Sequence, residues 1–470
     1  MDRIGRHFSW LPAIVLAAGS MAFAANRAFA ESRGAQTGAA KTPPAAAGSA
    51  QTPGASSPSQ APAAETPAAE KKETQSYTLS PEKYKKAVEY SRAGYRLYFI
   101  DFVYGLAVLW VILRFGIATK FRDWAESASG ARFVQVVIFA PLLMLTSGIL
   151  ELPTSIYGHS LSLKYEQSIQ RWGSWFWDWT KTQIIGLIIG TLLIWILYGV
   201  IRRSPRRWWF YFWLSALPIL LFILFISPVV IDPLFNKFEP LDKSHPDLVT
   251  AIEGVVHRAG MDIPRERMFL MIASLKTNQV NAYVTGFGTS KRVVVLDTTI
   301  KDMATPETLF VFGHEMGHYV LHHVRNGFIF IAGLLLVVFF LGFHSIHWAL
   351  GRWGSAWTIR GPEDWASLPV FLLVLSVILF LSSPVFNGFS RYQEHQADIY
   401  GLEVTHGLSP NSSEVAAHAF QVLGEVDLSD PNPSEFITVW LYSHPPLADR
   451  LVFAHTYDPW SKGEPPQFVK

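Results

Sequence analysis

Long apolar stretches separated by short polar ones run through most of this chain of 470 residues. About 20 consecutive apolar residues are enough for a helix to cross the hydrocarbon core of a bilayer. The sequence predicts six such spans, at residues 97–119, 131–151, 183–201, 208–231, 327–349 and 367–388. Those at 183–201 and 208–231 contain no charged residue. The pattern therefore predicts a polytopic α-helical membrane protein.

The stretch between the fourth and fifth predicted spans has the pattern of a soluble segment. Residues 246–260 have the apolar spacing of an amphipathic helix. Residues 267–273 and 291–297 are rich in apolar and β-branched residues and predict strands. A further short strand is predicted at 281–284.

The N-terminal part of the chain has a different composition. Residues 1–30 contain early arginines, an apolar run and the small-residue site Ala28-Phe29-Ala30, a pattern typical of a secretory signal peptide. An uncleaved N-terminal anchor helix is the alternative. Residues 31–76 are mainly Ala, Pro, Gly, Ser, Gln and Thr. Because they offer almost nothing large and apolar to bury, they are predicted to form a disordered tether.

The motif His314-Glu315-Met316-Gly317-His318 follows the predicted strands. Residues 305–307 supply an N-cap, a first-turn proline and a first-turn acid, so a helix is predicted from about Pro306 through His318. Histidines four residues apart share a helix face and can bind one zinc ion. Glu315 is then placed to take a proton from the attacking water. Two structural histidines that match the motif by chance are the alternative.

A catalytic zinc site needs a third protein ligand and an open position for water. Glu394 and Asp398 follow the last span on a predicted helix, where their spacing of four residues puts them on one face. Glu394 can bind the metal, and Asp398 can accept a hydrogen bond from a zinc-binding histidine. His395 is a rival ligand, but on a helix it points about 100° away from Glu394. The alternative is a solvated face of a juxtamembrane helix.

Composition supports a membrane protein and narrows its chemistry. Half of the residues are hydrophobic, only 16% are charged, and 17 are tryptophan. The chain has no cysteine, which excludes disulfides, thiolate metal ligands and a cysteine nucleophile. The formal net charge is +2, and no basic tract with interleaved aromatic residues is present, so no nucleic-acid partner is predicted.

Taken together, these features resemble the CAAX prenyl protease type 1 family of integral-membrane zinc metalloendopeptidases, with this chain as a bacterial member. The resemblance extends over about residues 80–460. The motifs that carry it are Leu152–Tyr157 (LPTSIY), Ile231–Phe238 (IDPLFNKF), Asn281–Gly286 (NAYVTG), His314–His318, Ser390–Asp398 and Ser443–Arg450 (SHPPLADR). The implied fold is a ring of membrane helices around a large water-filled chamber, capped by a zincin-like α+β metallopeptidase domain.

The resemblance implies one zinc ion (Zn2+) per chain. His314, His318 and Glu394 would be its ligands. Glu315 would be the general base, and Asp398 would support a zinc-binding histidine.

The resemblance also implies roles for residues outside this cluster. Asn281 and Tyr283 would belong to a strand that pairs with the substrate. His444 and Arg450 would approach the site from the C-terminal segment. A histidine there could donate a hydrogen bond to the oxyanion, and an arginine could bind a substrate carboxylate or brace that histidine. An ordinary Ser-His-Pro-Pro turn with a surface arginine is the alternative.

Loop charge predicts the orientation of the spans. The loops at 120–132, 202–207 and 350–366 carry lysine and arginine and fall on one side by parity, which the positive-inside rule makes cytoplasmic. A secretory signal predicts the same orientation. The segments 232–326 and 389–470, which contain the site, would then face the periplasm from a bacterial inner membrane.

These predictions divide the chain into five parts. They are the signal or anchor at 1–30, the tether at 31–76, a membrane domain of four spans at 77–240, a metallopeptidase domain at 241–460 interrupted by the spans at 327–349 and 367–388, and a tail at 461–470.

The predicted function is hydrolysis of peptide bonds by a membrane-embedded zinc endopeptidase. Its partners would be the lipid bilayer and a peptide or protein substrate, which the resemblance suggests could be lipidated. A periplasmic site would not meet prenylated cytosolic proteins, so quality control of membrane or secreted polypeptides is an alternative. An intramembrane-cleaving protease is disfavoured because the motif at His314–His318 precedes the span at 327–349. An inactive scaffold or transporter with a vestigial zinc site is the alternative of another class. The sequence does not determine the oligomeric state.

Overall fold

The computed structural model describes residues 77–286, 291–409 and 411–469. The predicted signal and tether lie outside the described residues. Six described helices are long and apolar enough to cross a membrane, which confirms the predicted number of spans after the tether. They are Pro81–Arg114, Arg132–Lys164, Trp172–Arg203, Trp208–Phe235, His323–Trp353 and Trp365–Thr405.

Four of these helices form the N-terminal half of the membrane part. We label its helices α1 (Pro81–Arg114), α2 (Ile117–Ala128), α3 (Arg132–Lys164), α4 (Trp172–Arg203) and α5 (Trp208–Ile226). The first span differs from the prediction because α1 ends at Arg114 instead of continuing to residue 119. Gly116 has a φ of 63° and turns the chain into the short helix α2.

The fourth span leads into the soluble domain without a long linker. After α5 the chain forms a π-helical turn at Ser227–Ile231 and the short helix α6 (Asp232–Phe235). Strand β1 (Phe238–Pro240) and helices α7 (Leu241–Ser244) and α8 (Pro246–Arg258) follow. Helix α8 closely matches the predicted amphipathic helix at 246–260, whereas the sequence analysis did not anticipate β1.

A four-stranded sheet forms the β part of the soluble domain. Its strands are β1, β2 (Met268–Met271), β3 (Ala282–Thr285) and β4 (Arg292–Leu296), in the order β1-β2-β4-β3. Strand β4 runs parallel to β2 and antiparallel to β3. Strand β3 is therefore an edge strand, as a substrate-pairing strand must be. The three strands predicted from the sequence are all present.

The remaining helices connect the sheet with the membrane. They are α9 (Asp297–Asp302), α10 (Thr305–Val320), α11 (His323–Trp353), α12 (Leu368–Thr405), α13 (Ser412–Asp427), α14 (Glu435–Leu441) and α15 (Leu447–Thr456). The main core lies between α8, one face of the sheet, α10, the end of α12, α13 and α15. Helix α12 is thus apolar in its first half and part of the soluble core in its last turns.

The C-terminal tail is attached to the last turn of α12. The buried carboxylate of Glu403 accepts backbone N–H bonds from Phe468 at 2.7 Å and Val469 at 2.9 Å. These bonds fasten the tail to the helix that carries Glu394 and Asp398.

Candidate metal centre

Helix α10 begins close to the predicted position but is capped differently. Ala304 occupies the N-cap, and Glu307 accepts its backbone N–H at 2.8 Å. Thr305, which the sequence pattern suggested as the cap, is the first residue of the helix. The acid in the first turn still complements the positive end of the helix dipole. The helix runs through His318, as predicted.

Helices α10 and α12 cross at glycines, and this crossing assembles the site. A Cβ on Gly401 would lie 3.0 Å from the backbone nitrogen of His314, and one on Gly317 would lie 3.0 Å from Cβ of Tyr400. A Cβ on Gly313 would lie 2.8 Å from a methyl of Val404. Without side chains at these positions the two backbones approach closely, which brings residues 314–318 to the face of α12 that carries the acids.

Three predicted metal ligands converge at this crossing. One ligand atom each from His314, His318 and Glu394 lies within 4.8 Å of the others. The Nε2 atoms of the two histidines are 3.3 Å apart, and they lie 3.2 and 3.6 Å from carboxylate oxygens of Glu394. His395, the rival ligand, is exposed and packs against Phe453.

Asp398 holds the first histidine from behind. Nδ1 of His314 donates a hydrogen bond to Oδ1 of Asp398 at 2.8 Å, so Nε2 faces the site. Arg450 binds the same carboxylate through Nη2 at 2.6 Å and Nε at 2.9 Å. Arg450 is only 3% exposed and its guanidinium stacks over Phe420. Because Asp398 occupies the guanidinium, we revise the predicted substrate-binding role of Arg450 to one of positioning.

The second histidine has a support that the sequence analysis missed. Nδ1 of His318 lies 3.2 Å from Nδ1 of His323, whose Nε2 lies 3.2 Å from Oε1 of Gln396. If His318 turns Nε2 towards the site, its Nδ1–H donates to His323, and His323 donates to Gln396. The distances are consistent with this chain of hydrogen bonds. His323 stands nine residues after His314, but nothing in the sequence pattern marked it.

His444 enters the cluster from the loop between α14 and α15. It is fully buried, and its Nε2 lies 3.0 Å from Oε2 of Glu394. Ser443 Oγ lies 3.0 Å from its Nδ1, so the hydroxyl can donate there and leave the proton on Nε2. Arg391 of α12 donates to the backbone carbonyl of Tyr442 at 2.5 Å and holds this loop in place.

Burial and nearby charge shift the pKa values of the groups on α10. Burial lowers the pKa of His318 to about 3, which keeps the imidazole neutral and able to bind a metal. Burial also opposes a charge on His314, but Asp398 and Glu394 outweigh it and raise its pKa to about 9. Carboxylates that favour an added proton also favour a dication. Burial raises the pKa of Glu315 to about 8, a shift that a nearby cation would oppose.

The donor set fits a zinc ion. Oε2 of Glu394 is buried and has no hydrogen-bond partner, although nitrogens of His314 and His444 lie within 3.2 Å. A buried carboxylate oxygen left without a hydrogen bond is costly, and coordination of a cation would satisfy it. Two imidazoles and one carboxylate are a donor set of catalytic zinc sites.

The two predicted strand residues take different positions. Tyr283 is 5% exposed and packs with Ala273, Val294 and Leu296 on the face of the sheet away from the main core. Oδ1 of Asn281 is buried without a hydrogen-bond partner. The side chain of Tyr283 is therefore placed to support the strand, and any contact with substrate would come from the strand backbone.

Comparisons with known proteins match both halves of the chain. Residues 65–237 match the family described as CAAX prenyl protease N-terminal, five membrane helices, and the described part of this range contains four candidate spans. Residues 242–457 match Peptidase family M48. The chain belongs to this family. It is a membrane metalloendopeptidase, a hydrolase, as the sequence predicted.

Individual relatives cover most of the chain. An uncharacterized metalloprotease of Bacillus subtilis (strain 168), YhfN, is 37% identical over 380 residues, which are 80% of this chain and 86% of the relative. The CAAX prenyl protease 1 of Saccharomyces cerevisiae is 28% identical over 399 residues, 79% of this chain and 86% of that protein. The M48 resemblance drawn from the sequence is confirmed.

A solved structure matches the fold. The crystal structure of S. mikatae Ste24p superimposes with a TM-score of 0.68 at 24% identity and covers 81% of this chain and 90% of that one. The predicted class, a polytopic α-helical membrane protein with a metallopeptidase domain, is confirmed.

Proposed function

We propose that the chain is a zinc-dependent endopeptidase in which His314, His318 and Glu394 hold one zinc ion. The observation that carries this proposal is the convergence of their ligand atoms within 4.8 Å beside a carboxylate, Glu315, that is not among them. A zinc ion at this position would polarise the scissile carbonyl and acidify water.

The remaining steps belong to side chains of the protein. Glu315 takes the proton of the attacking water and later returns it to the leaving amine. His444, with its proton on Nε2, donates a hydrogen bond to the developing oxyanion. Asp398 and Arg450 hold the ring of His314, and His323 holds that of His318. This division leaves one acid–base residue and one oxyanion donor, both buried where electrostatic interactions are strong.

The metal assignment is tested by comparing two neighbouring variants. Purified wild-type protein is expected to contain one zinc per chain, to lose peptide cleavage on dialysis against a chelator, and to recover it with zinc. Glu394→Gln is expected to lose the zinc, because a neutral amide is a poor third ligand. His395→Gln is the matched control, since it is adjacent but exposed, and should keep the metal. Zinc retained by Glu394→Gln and lost by His395→Gln would reverse the assignment.

His323 is expected to raise zinc affinity by fixing the orientation of His318. Removing such a support typically weakens metal binding about 10- to 100-fold. We expect His323→Leu to show this loss in a chelator competition, with cleavage partly restored by excess zinc. His323→Asn keeps an acceptor and should bind zinc more tightly than His323→Leu. Equal zinc affinity in both variants and wild type would remove His323 from the site.

The free edge of β3 is proposed to bind the substrate backbone. Leu296 donates its N–H to the carbonyl of Asn281, so residues 281, 283 and 285 face β4 and alternate residues face outward. The backbone groups of Ala282 and Val284 therefore point to the free edge, where an extended peptide can pair with them. Recognition through the main chain requires no particular substrate sequence.

Val284→Pro is expected to weaken substrate binding without unfolding the sheet. Proline removes a backbone N–H that faces the free edge, and edge positions of this kind tolerate it. Loss of about one hydrogen bond predicts a roughly 3- to 10-fold lower kcat/KM, mainly through KM. Val284→Ala, which keeps the N–H, is the control and should have a near-normal KM. A KM that is equal for both variants would rule out pairing at this residue.

The nature of the substrate has two candidates. The relatives named CAAX prenyl protease 1 favour a lipidated peptide. The predicted secretory signal and periplasmic site favour unmodified membrane or secreted polypeptides. Cleavage of one peptide with and without a prenyl group would distinguish them. A topology reporter fused after residue 470 tests the periplasmic orientation, and cytoplasmic activity of the reporter would overturn it.

A further inference from the structure

An apolar slot lies between four membrane helices, α4, α5, α11 and α12. Its volume is about 730 Å³ and every residue that lines it is apolar, including Leu197 of α4, Trp208 of α5 and Phe371 of α12. Gly342 of α11 also lines it, and a Cβ added there would have no atom within 4 Å. The gap is therefore real space beside a buried helix position and can receive an apolar chain.

The slot is far from the metal centre. Its last lining residue on α12 is Leu375, which precedes Glu394 by about 28 Å of helix. An apolar group bound here cannot belong to a peptide held at the zinc site in the same way as its scissile bond. The slot therefore calls for a ligand other than the substrate.

Arginines stand at the end of the slot. The connection between α4 and α5 reads Arg202-Arg203-Ser204-Pro205-Arg206-Arg207, and slot residue Trp208 follows it directly. Arg202 is engaged, because it stacks on Trp365 and donates to the carbonyl of Glu363. Arg203, Arg206 and Arg207 are exposed, and no ion pair with them is found within residues 77–286, 291–409 and 411–469.

A second helix adds to this charge. Arg352 of α11 is exposed and lies six residues, about 9 Å of helix, beyond slot residue Ile346. Leu197 of α4 is separated from Arg203 by the same distance. Cationic side chains thus stand about one lipid head-group depth beyond the apolar lining, on two of the four helices that form it.

We propose that the slot binds an anionic phospholipid. One acyl chain occupies the space beside Gly342, and the phosphate is bound by Arg203, Arg206 and Arg207. Charge complementarity selects an anionic head group, and the length of apolar lining below it selects a lipid over free phosphate. The lipid would connect α4 and α5 to α11 and α12, the two spans between His318 and Glu394, and stabilise their packing.

Lipid retention by the purified full-length protein tests the proposal. Wild type is exposed to an equimolar mixture of phosphatidylglycerol and phosphatidylcholine with identical acyl chains, and the bound lipid is quantified by mass spectrometry. We expect phosphatidylglycerol to be favoured by about tenfold or more. Replacing Arg203, Arg206 and Arg207 by glutamine should bring the ratio close to one. Inorganic phosphate should not displace the lipid.

A matched pair of glycine variants tests the acyl site. Gly342→Leu fills the slot and should lose phosphatidylglycerol, whereas Gly333→Leu, on the same helix and also without a clash, should retain it. Equal retention of the two lipids by wild type would mean annular lipid only and would overturn the proposal. An unchanged ratio in the triple glutamine variant, which alters only exposed side chains, would also overturn it, as would displacement by phosphate.

Discussion

Glu315→Gln is expected to lower kcat by about 10²- to 10⁴-fold, the usual contribution of general acid–base catalysis. Glutamine has nearly the same shape as glutamate but cannot take up the proton of the attacking water. The zinc content should stay at one per chain, because Glu315 is adjacent to a candidate ligand without being one. The measurement is kcat for a quenched peptide substrate, with zinc determined on the same sample.

The zinc determination distinguishes two causes of inactivity. A variant that is inactive but metal-replete has lost the proton transfer, whereas an inactive variant without zinc has lost the site. Cleavage at the wild-type rate by metal-replete Glu315→Gln would show that another group is the base. It would also remove the main reason for counting this chain among active peptidases instead of vestigial zinc proteins.

Gly401→Ala is expected to lower kcat/KM by about 100-fold, although Gly401 is not a metal ligand. The added Cβ would lie 3.0 Å from the backbone nitrogen of His314 and 3.2 Å from its Cα. Backbone atoms cannot rotate away as a side chain can, so α10 must shift relative to α12. A displacement of about 1 Å at a catalytic group can cost a factor of this size. The measurements are kcat/KM and zinc affinity.

Gly254→Ala provides the control for this substitution. Gly254 lies in α8, and a Cβ there would have no atom within 4 Å. Because alanine is the better helix former, this variant should be as stable as wild type or more so, with unchanged cleavage. If Gly401→Ala were as active as Gly254→Ala, the close helix crossing would not be needed to position His314.

The membrane part and the local elements could be predicted from the sequence because their signals are local. An apolar run of sufficient length is a membrane span in almost any context, since an unpaired backbone in lipid is too costly. The three strands and helix α8 were predicted for the same reason. The end of the first span was not, because the break at Gly116 depends on backbone conformation that hydropathy does not report.

The candidate site was partly predictable from the sequence. The spacing of His314 and His318, and that of Glu394 and Asp398, reflects the geometry of single helices. No pattern of this kind connects His323 with Gln396, because these residues meet only when α11 and α12 pack. Arg450 was assigned to the substrate for a similar reason, since its attachment to Asp398 is a contact between two elements.

The sequence by itself determined the chemistry that is available here: two imidazoles, a carboxylate base, a candidate third ligand and a membrane to hold them. The tertiary structure decided which of these groups meet. Glycines at the crossing of α10 and α12 allow two backbones to approach, and this approach brings residues separated by two membrane spans within coordination distance. Contacts of this kind depend on packing between distant segments, and periodicity along one chain does not encode them.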